Sequence, residues 1–185
     1  MLRRDFLATV ATAVAGAVIA PATLAECRAT SRASQGPFWR ENAPFTTDLR
    51  REGGTPIVVA GTIRDARTCK PIPSALLDVW QADHHGKYDV DYQNGPEHSN
   101  ETFGRARIRA GGDGAFSFTT IKPAPYGGRP AHIHFIVSAE GKRSLVTQLY
   151  FEGDPNLEKD PLQSVFADLV TGVRNGRCKF DVFLA

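Results

Sequence analysis

Methionine and tryptophan are scarce in this chain of 185 residues, at one and two, and cysteine is limited to three. So few cysteines exclude a disulfide-dense scaffold, and Cys27, Cys69 and Cys178 lack the spacing of a metal site. No block of like charge occurs: 22 Lys and Arg stand against 20 Asp and Glu, a net charge of only +2. That balance, with no basic run and no aromatic–basic interleaving, argues against nucleic acid as a partner. Long apolar runs are also missing beyond residue 20. The run from Ala8 to Ala20 is shorter than the roughly 20 residues a spanning helix needs, so no stable membrane anchor is expected.

The N-terminus reads as an export signal. Met1-Leu-Arg3-Arg4-Asp5-Phe6-Leu7 is basic, the alanine-rich apolar run follows, and small residues then prepare cleavage after Ala25. The arginine pair followed by Asp-Phe-Leu looks like a twin-arginine motif, although Ala8 stands where lysine is common. Lipid attachment at Cys27 is disfavoured because Glu26 occupies a position that needs a small residue. The expected organisation is a signal over residues 1–25 and one domain over 26–185, exported to the periplasm or beyond. In that oxidising setting one disulfide and one free thiol are expected, with all three pairings open.

Short β-runs dominate the rest: Ile57–Ile63, Ala75–Gln81, Arg105–Ile108, Ala115–Ile121, His132–Ser138, Leu145–Phe151 and Phe180–Leu184. Gly, Pro, Asn and Asp clusters such as Gly53-Gly54 and Gly111-Gly-Asp-Gly114 separate them. Many short strands with frequent turns predict an all-β, single-domain β-sandwich. One short helix is expected near the C-terminus. Asp160 would cap it and Pro161 open it, and Leu162, Val165, Phe166, Leu169 and Val170 would form its apolar stripe.

The chemistry is concentrated in Tyr126-Gly-Gly-Arg129-Pro-Ala-His132-Ile-His134-Phe135. On a strand His132 and His134 point to the same face with rings roughly 7 Å apart or less, close enough to share one metal ion. Histidine is the commonest nitrogen ligand for zinc, copper and iron. A lone His-x-His equally describes a polar strand edge, so the neighbouring blocks matter. They are Asp78-Val-Trp80-Gln81-Ala-Asp83-His84-His85-Gly86-Lys87-Tyr88, Thr120-Ile-Lys-Pro123-Ala-Pro125-Tyr126 and Thr147-Gln148-Leu-Tyr150-Phe-Glu152-Gly153-Asp154-Pro155.

Taken together in this order, from Gly36-Pro37-Phe38-Trp39 to Phe180-Asp181-Val182, these blocks resemble the intradiol ring-cleavage dioxygenases. The resemblance implies a β-sandwich holding one mononuclear, non-haem Fe(III). Tyr88 and Tyr126 would be its phenolate ligands and His132 and His134 its imidazole ligands. Tyr126 would leave the metal as a base, Arg129 would stabilise developing negative charge, and Gln148 would lie near the active site. The implied partners are a small aromatic diol and O2, and the implied product is a muconate-type diacid.

Other readings of these residues stay in view. Tyr92 and Tyr150 are equally phenolic, but a buried tyrosine is usually a packing residue with a satisfied hydroxyl. His84 and His85 precede Gly86 in an expected exposed turn, and His98 falls in an expected surface loop. Arg129 also fits a plain surface charge, and Gln148 a structural strand residue. Zinc or copper at the same four ligands is less compatible with two phenolates. A non-catalytic, exported β-sandwich binding module is the alternative from another class. The Tyr126–Arg129 connection is shorter than in many family members and no helical segment precedes the β-core, which leaves substrate identity and homo-oligomer contacts open.

Overall fold

The computed structural model describes residues 27–50, 53–89 and 103–185. The export signal, Tyr92 and His98 lie outside the described residues. Among those described, nine strands form two sheets. They are β1 (Pro56–Asp65), β2 (Leu76–Gln81), β3 (Arg105–Arg109), β4 (Ala115–Ile121), β5 (His132–Ser138), β6 (Leu145–Phe151), β7 (Val170–Thr171), β8 (Arg177–Lys179) and β9 (Val182–Leu184).

One sheet runs β4-β1-β8, with β9 also paired to β1; the other runs β3-β2-β5-β6-β7. Most pairings are antiparallel, while β8 and β9 lie parallel to β1 and β7 parallel to β6. Alternate residues of each strand fill the space between the sheets. Val59 and Ile63 of β1, Phe118 of β4, Leu77 and Val79 of β2, and Ile133, Phe135 and Val137 of β5 are all buried there. Phe135 meets Phe118 and Phe180 with ring centroids 6.2 and 5.2 Å away, a spacing suited to aromatic packing.

The opposite face of the five-stranded sheet is covered by an N-terminal strap. Thr30 N donates to Phe183 O at 3.1 Å, Ala33 N to Val146 O at 3.0 Å and Thr147 Oγ1 to Ser31 O at 2.8 Å. Its start is fastened by a disulfide between Cys27 and Cys69, whose Cα atoms are 5.4 Å apart. This resolves the pairing left open by the sequence. Cys178 is free and buried, and burial pushes its thiol up to about 11.

Two sequence expectations require correction. Residues 160–170 form no α-helix; single 3-10 turns occupy Leu157–Lys159 and Ala167–Leu169. The supposed apolar stripe faces outward in part, with Leu162 60 % and Phe166 51 % exposed. Tertiary contacts override the helical periodicity: Asp160 hydrogen-bonds to Arg129, and Gln163 to Gln148 and the Ser34 backbone. The expected strand Phe180–Leu184 is replaced by β8 and β9 with a break at Phe180 and Asp181. A Cβ at Gly61 would stand 1.9 Å from Phe180 O, so only glycine admits this close approach. Asp181 Oδ1 accepts from Thr62 N at 2.9 Å and closes the gap.

The disulfide spans a sequence separation of 42. A loop of that length restricts the unfolded chain by about 4 kcal/mol in the chain-entropy account. Cys27→Ser is therefore expected to lower the unfolding free energy by roughly 3–4 kcal/mol in denaturant melts without reductant. An unchanged melt would show that the strap is not fastened there.

Candidate active site

Register arithmetic builds the site. On β5, Ile133, Phe135 and Val137 are committed to the core, so His132 and His134 must face the strap. His134 lies opposite Trp80 of β2 on one side and Gln148 of β6 on the other, and His132 lies opposite Tyr150. Trp80 stacks on the His134 ring at 4.7 Å with 5° between planes. Strap residue Gly36 passes close above, where an added Cβ would be 3.4 Å from His134 Cε1.

Two loops deliver the phenols. The turn before Tyr88 is closed by Asp83 Oδ1, which accepts from His85 N at 2.8 Å and Lys87 N at 2.9 Å. Gly86 (φ +77°) sits where a Cβ would be 2.9 Å from Tyr126 Cβ, so glycine lets the two loops meet. The second turn is Tyr126-Gly127-Gly128-Arg129, closed by Arg129 N donating to Tyr126 O at 2.8 Å. Phe38 of the strap stacks on Tyr88 at 4.2 Å.

The result is a chain of four donor atoms. Tyr88 Oη is 3.3 Å from Tyr126 Oη, which is 3.4 Å from His132 Nε2, which is 3.1 Å from His134 Nε2. His132 Nδ1 donates to Pro130 O at 2.7 Å, leaving Nε2 as its lone-pair nitrogen. Arg129 Nη1, which can only donate, points at that lone pair from 3.0 Å. His134 hydrogen-bonds to the Ser34 backbone, and Gln148 Nε2 lies 3.2 Å from its Nδ1. Burial and the Arg129 charge lower His132 to about 4. Burial, then His132 and Arg129, holds His134 well below the usual imidazole range. Burial also pushes the Tyr88 phenol well above its usual value, reinforced by Tyr126.

Imidazole nitrogens and phenol oxygens converging in one place are atoms that could hold a cation. Ligand atoms about 2.1 Å from a shared ion stand about 3.0–3.5 Å from one another, which matches the observed separations. Among the described residues no group of three or more His, Cys, Asp or Glu could hold a metal ion. Two of the four converging atoms are phenol oxygens.

Arg129 is not a surface charge: it is buried and ion-paired to Asp160 at 2.9 Å. Burial opposes its charge, but Asp160 and the neighbouring phenols raise its pKa above the ordinary guanidinium value. Gln148 is buried and accepts from Arg129 Nη2 at 2.9 Å. Tyr150 is also buried, its hydroxyl donating to Gln148 Oε1 at 2.5 Å, and burial pushes it up to about 12. His84 and His85 do sit in a turn, their ring centroids 3.8 Å apart and the planes tilted by 43°, with His85 exposed and His84 half-buried. The site also takes in Trp80, Tyr150, Asp160 and Gln163, to which the sequence alone assigns no role there. Strand parity relative to His134 marks the first two, whereas no local signal marks Asp160 or Gln163.

Comparison with known proteins fits this geometry. A sequence model of the family described as Dioxygenase matches residues 34–179. Chlorocatechol 1,2-dioxygenase of Rhodococcus opacus is 35 % identical over 170 residues, covering 78 % of this chain and 65 % of that protein. Hydroxyquinol 1,2-dioxygenase of the same species is 34 % identical, covering 81 % of this chain and 62 % of that one. The chain thus spans somewhat under two thirds of the length of these relatives. Among solved structures, the dioxygenase domain of a dioxygenase carbohydrate-binding protein fusion from Streptomyces sp. SirexAA-E superposes with a TM-score of 0.73 at 34 % identity. That match covers 84 % of this chain and 97 % of the other. The chain belongs to the intradiol ring-cleavage dioxygenase family.

The burial of His132 has a consequence for the metal-free protein. An imidazole whose pKa falls on folding binds its proton more readily in the unfolded chain, so acid favours unfolding. Stability is expected to drop as pH falls from about 6.5 toward 4. Melting temperatures of metal-free protein across this window check it against His132→Gln, which should lose less. Equal losses would contradict the assignment.

Proposed function

We propose that this protein is an exported, iron-dependent dioxygenase that cleaves a small catechol between its two hydroxyl-bearing carbons, forming a muconate-type diacid. The observation that carries this reading is the convergence of Tyr88 Oη, Tyr126 Oη, His132 Nε2 and His134 Nε2 beside the buried guanidinium of Arg129. These four would hold one ferric ion, two hard anionic oxygens offsetting its charge and two neutral imidazoles completing the set. Bound there, Fe(III) would draw electron density from a chelated catecholate and so activate the organic substrate toward O2.

The residues divide the remaining work. His132 is oriented by Pro130 O, and His134 is fixed between the Trp80 ring and the Ser34 backbone. The strap lays the Phe38 ring against Tyr88, which would limit water on that side of the centre. A catechol must lose two protons to bind as a dianion, and Tyr126 Oη, on the half-buried turn, is the group placed to accept one. Arg129 Nη1 would supply a preorganised donor where negative charge grows on the ring, a contribution of about 3–4 kcal/mol in mutational series on other enzymes, or about 10²–10³ in rate. Export is supported by the twin-arginine-like segment and by the Cys27–Cys69 disulfide, which suits an oxidising compartment.

Iron-loaded protein incubated with catechol, chlorocatechol and hydroxyquinol is expected to yield a diacid carrying both atoms of 18O2, identified by mass spectrometry. A ring-cleaved semialdehyde would overturn the intradiol reading, and no product from any of these catechols would favour a binding module. Tyr88→Phe should lose most bound iron and the red-brown phenolate-to-iron absorption. Arg129→Leu should keep both while turnover falls by about 10²–10³.

A further inference from the structure

Arg129 is gripped along one edge of its fork. Nε donates to Asp160 Oδ1 at 3.1 Å and Oδ2 at 3.3 Å, and Nη2 donates to Oδ2 at 2.9 Å. Nη2 also reaches Gln148 Oε1 at 2.9 Å and Tyr150 Oη at 3.3 Å. Nη1 is the one nitrogen that Asp160 does not engage, and it points at His132 Nε2. The pair is buried, with side-chain exposures of 3 % for Arg129 and 0 % for Asp160.

The carboxylate is itself anchored. Asp160 Oδ1 accepts from Leu162 N at 3.0 Å, and Gln163, three residues on, hydrogen-bonds to Tyr150 Oη and to Gln148 Oε1. Gln163 Oε1 in turn accepts from Ser34 N at 2.7 Å, tying this segment to the strap. A flexible arginine side chain carries three donor-bearing nitrogens that can rotate onto any nearby acceptor, including the phenol oxygens of the donor set. Consuming two of them on one edge leaves a single direction for the third.

We propose that Asp160 is a positioning residue for the ring-cleavage reaction, holding the guanidinium of Arg129 so that Nη1 faces the four-donor centre. The proposal rests on the function argued above. It also explains why residues 160–166 give up helical geometry and leave Leu162 and Phe166 exposed: the segment is drawn to the buried arginine. Among the described residues Asp160 makes no hydrogen bond to any of the four donor atoms; its charge reaches His132 only as a lesser effect, and its direct partners are Arg129, Tyr150 Oη at 3.4 Å and Leu162 N, with Arg129 held by the most contacts.

Asp160→Asn tests this, with Asp160→Glu as the conservative partner should the amide variant fold poorly. Asp160→Asn is expected to retain iron and the visible absorption while kcat per iron falls by about 10- to 100-fold, with KM little changed. Asp160→Glu is expected to recover part of that loss. In an Arg129→Leu background, Asp160→Asn should cost little more, because a residue acting through Arg129 has nothing left to position. A readout independent of turnover is phenylglyoxal labelling followed by peptide mapping: Arg129 should react slowly in the wild type and faster in Asp160→Asn. Unchanged kcat per iron, fully additive losses in the double variant, or equal labelling of Arg129 would each overturn the proposal. If the wild type cleaves no catechol, the functional reading fails, and labelling still decides whether Asp160 holds the arginine.

Discussion

The site depends on the two-residue alternation of β5. Ile133, Phe135 and Val137 are locked between the sheets, and that commitment forces His132 and His134 onto the opposite face. A one-residue slip would exchange the two sets, placing imidazoles in the apolar core and Phe135 under the strap. The same register brings Trp80 and Gln148 beside His134, and Tyr150 beside His132. Core packing and site geometry are two faces of one strand. Truncation of Phe135, costing about 3–5 kcal/mol as a large-to-small core change, would therefore also disturb the histidines behind it.

The sheet face becomes a site only because it is covered. The strap, fastened at Cys27 and threaded through Thr30, Ala33 and Ser34, lays Gly36 and Phe38 over His134 and Tyr88. From the other side, residues 157–169 bring Asp160 and Gln163 to Arg129, Gln148 and Tyr150. Desolvation keeps both imidazoles neutral and strengthens every charge–dipole contact within the enclosure. The strap's packing and the burial of His132 and His134 are therefore linked, since loosening the strap would uncover them.

Much of this was legible in the sequence. The strands Ala115–Ile121, His132–Ser138 and Leu145–Phe151 follow from short β-runs bounded by turn residues, with clean alternation in residues 115–119, and the two-sheet fold follows from their number. The gathering of Tyr88, Tyr126, His132, His134, Arg129 and Gln148 was suggested by the ordered blocks, which carry information beyond local propensity. What stayed hidden were contacts between distant segments. Asp160-Pro161 carries a helix-start signal, and only the buried guanidinium 31 residues upstream explains why the chain ignores it. The break at Phe180 is set by the missing side chain of Gly61 in another strand. The Cys27–Cys69 link likewise joins ends that only the folded sandwich brings together.

The central claim is that two phenolates and two imidazoles share one iron. Diffraction from crystals of the iron-loaded protein, recorded above and below the iron absorption edge, tests it most directly. The account predicts a single anomalous peak about 2 Å from Tyr88 Oη, Tyr126 Oη, His132 Nε2 and His134 Nε2. A peak lacking contact with either tyrosine, or iron bound elsewhere with these four atoms still hydrogen-bonded to one another, would contradict it.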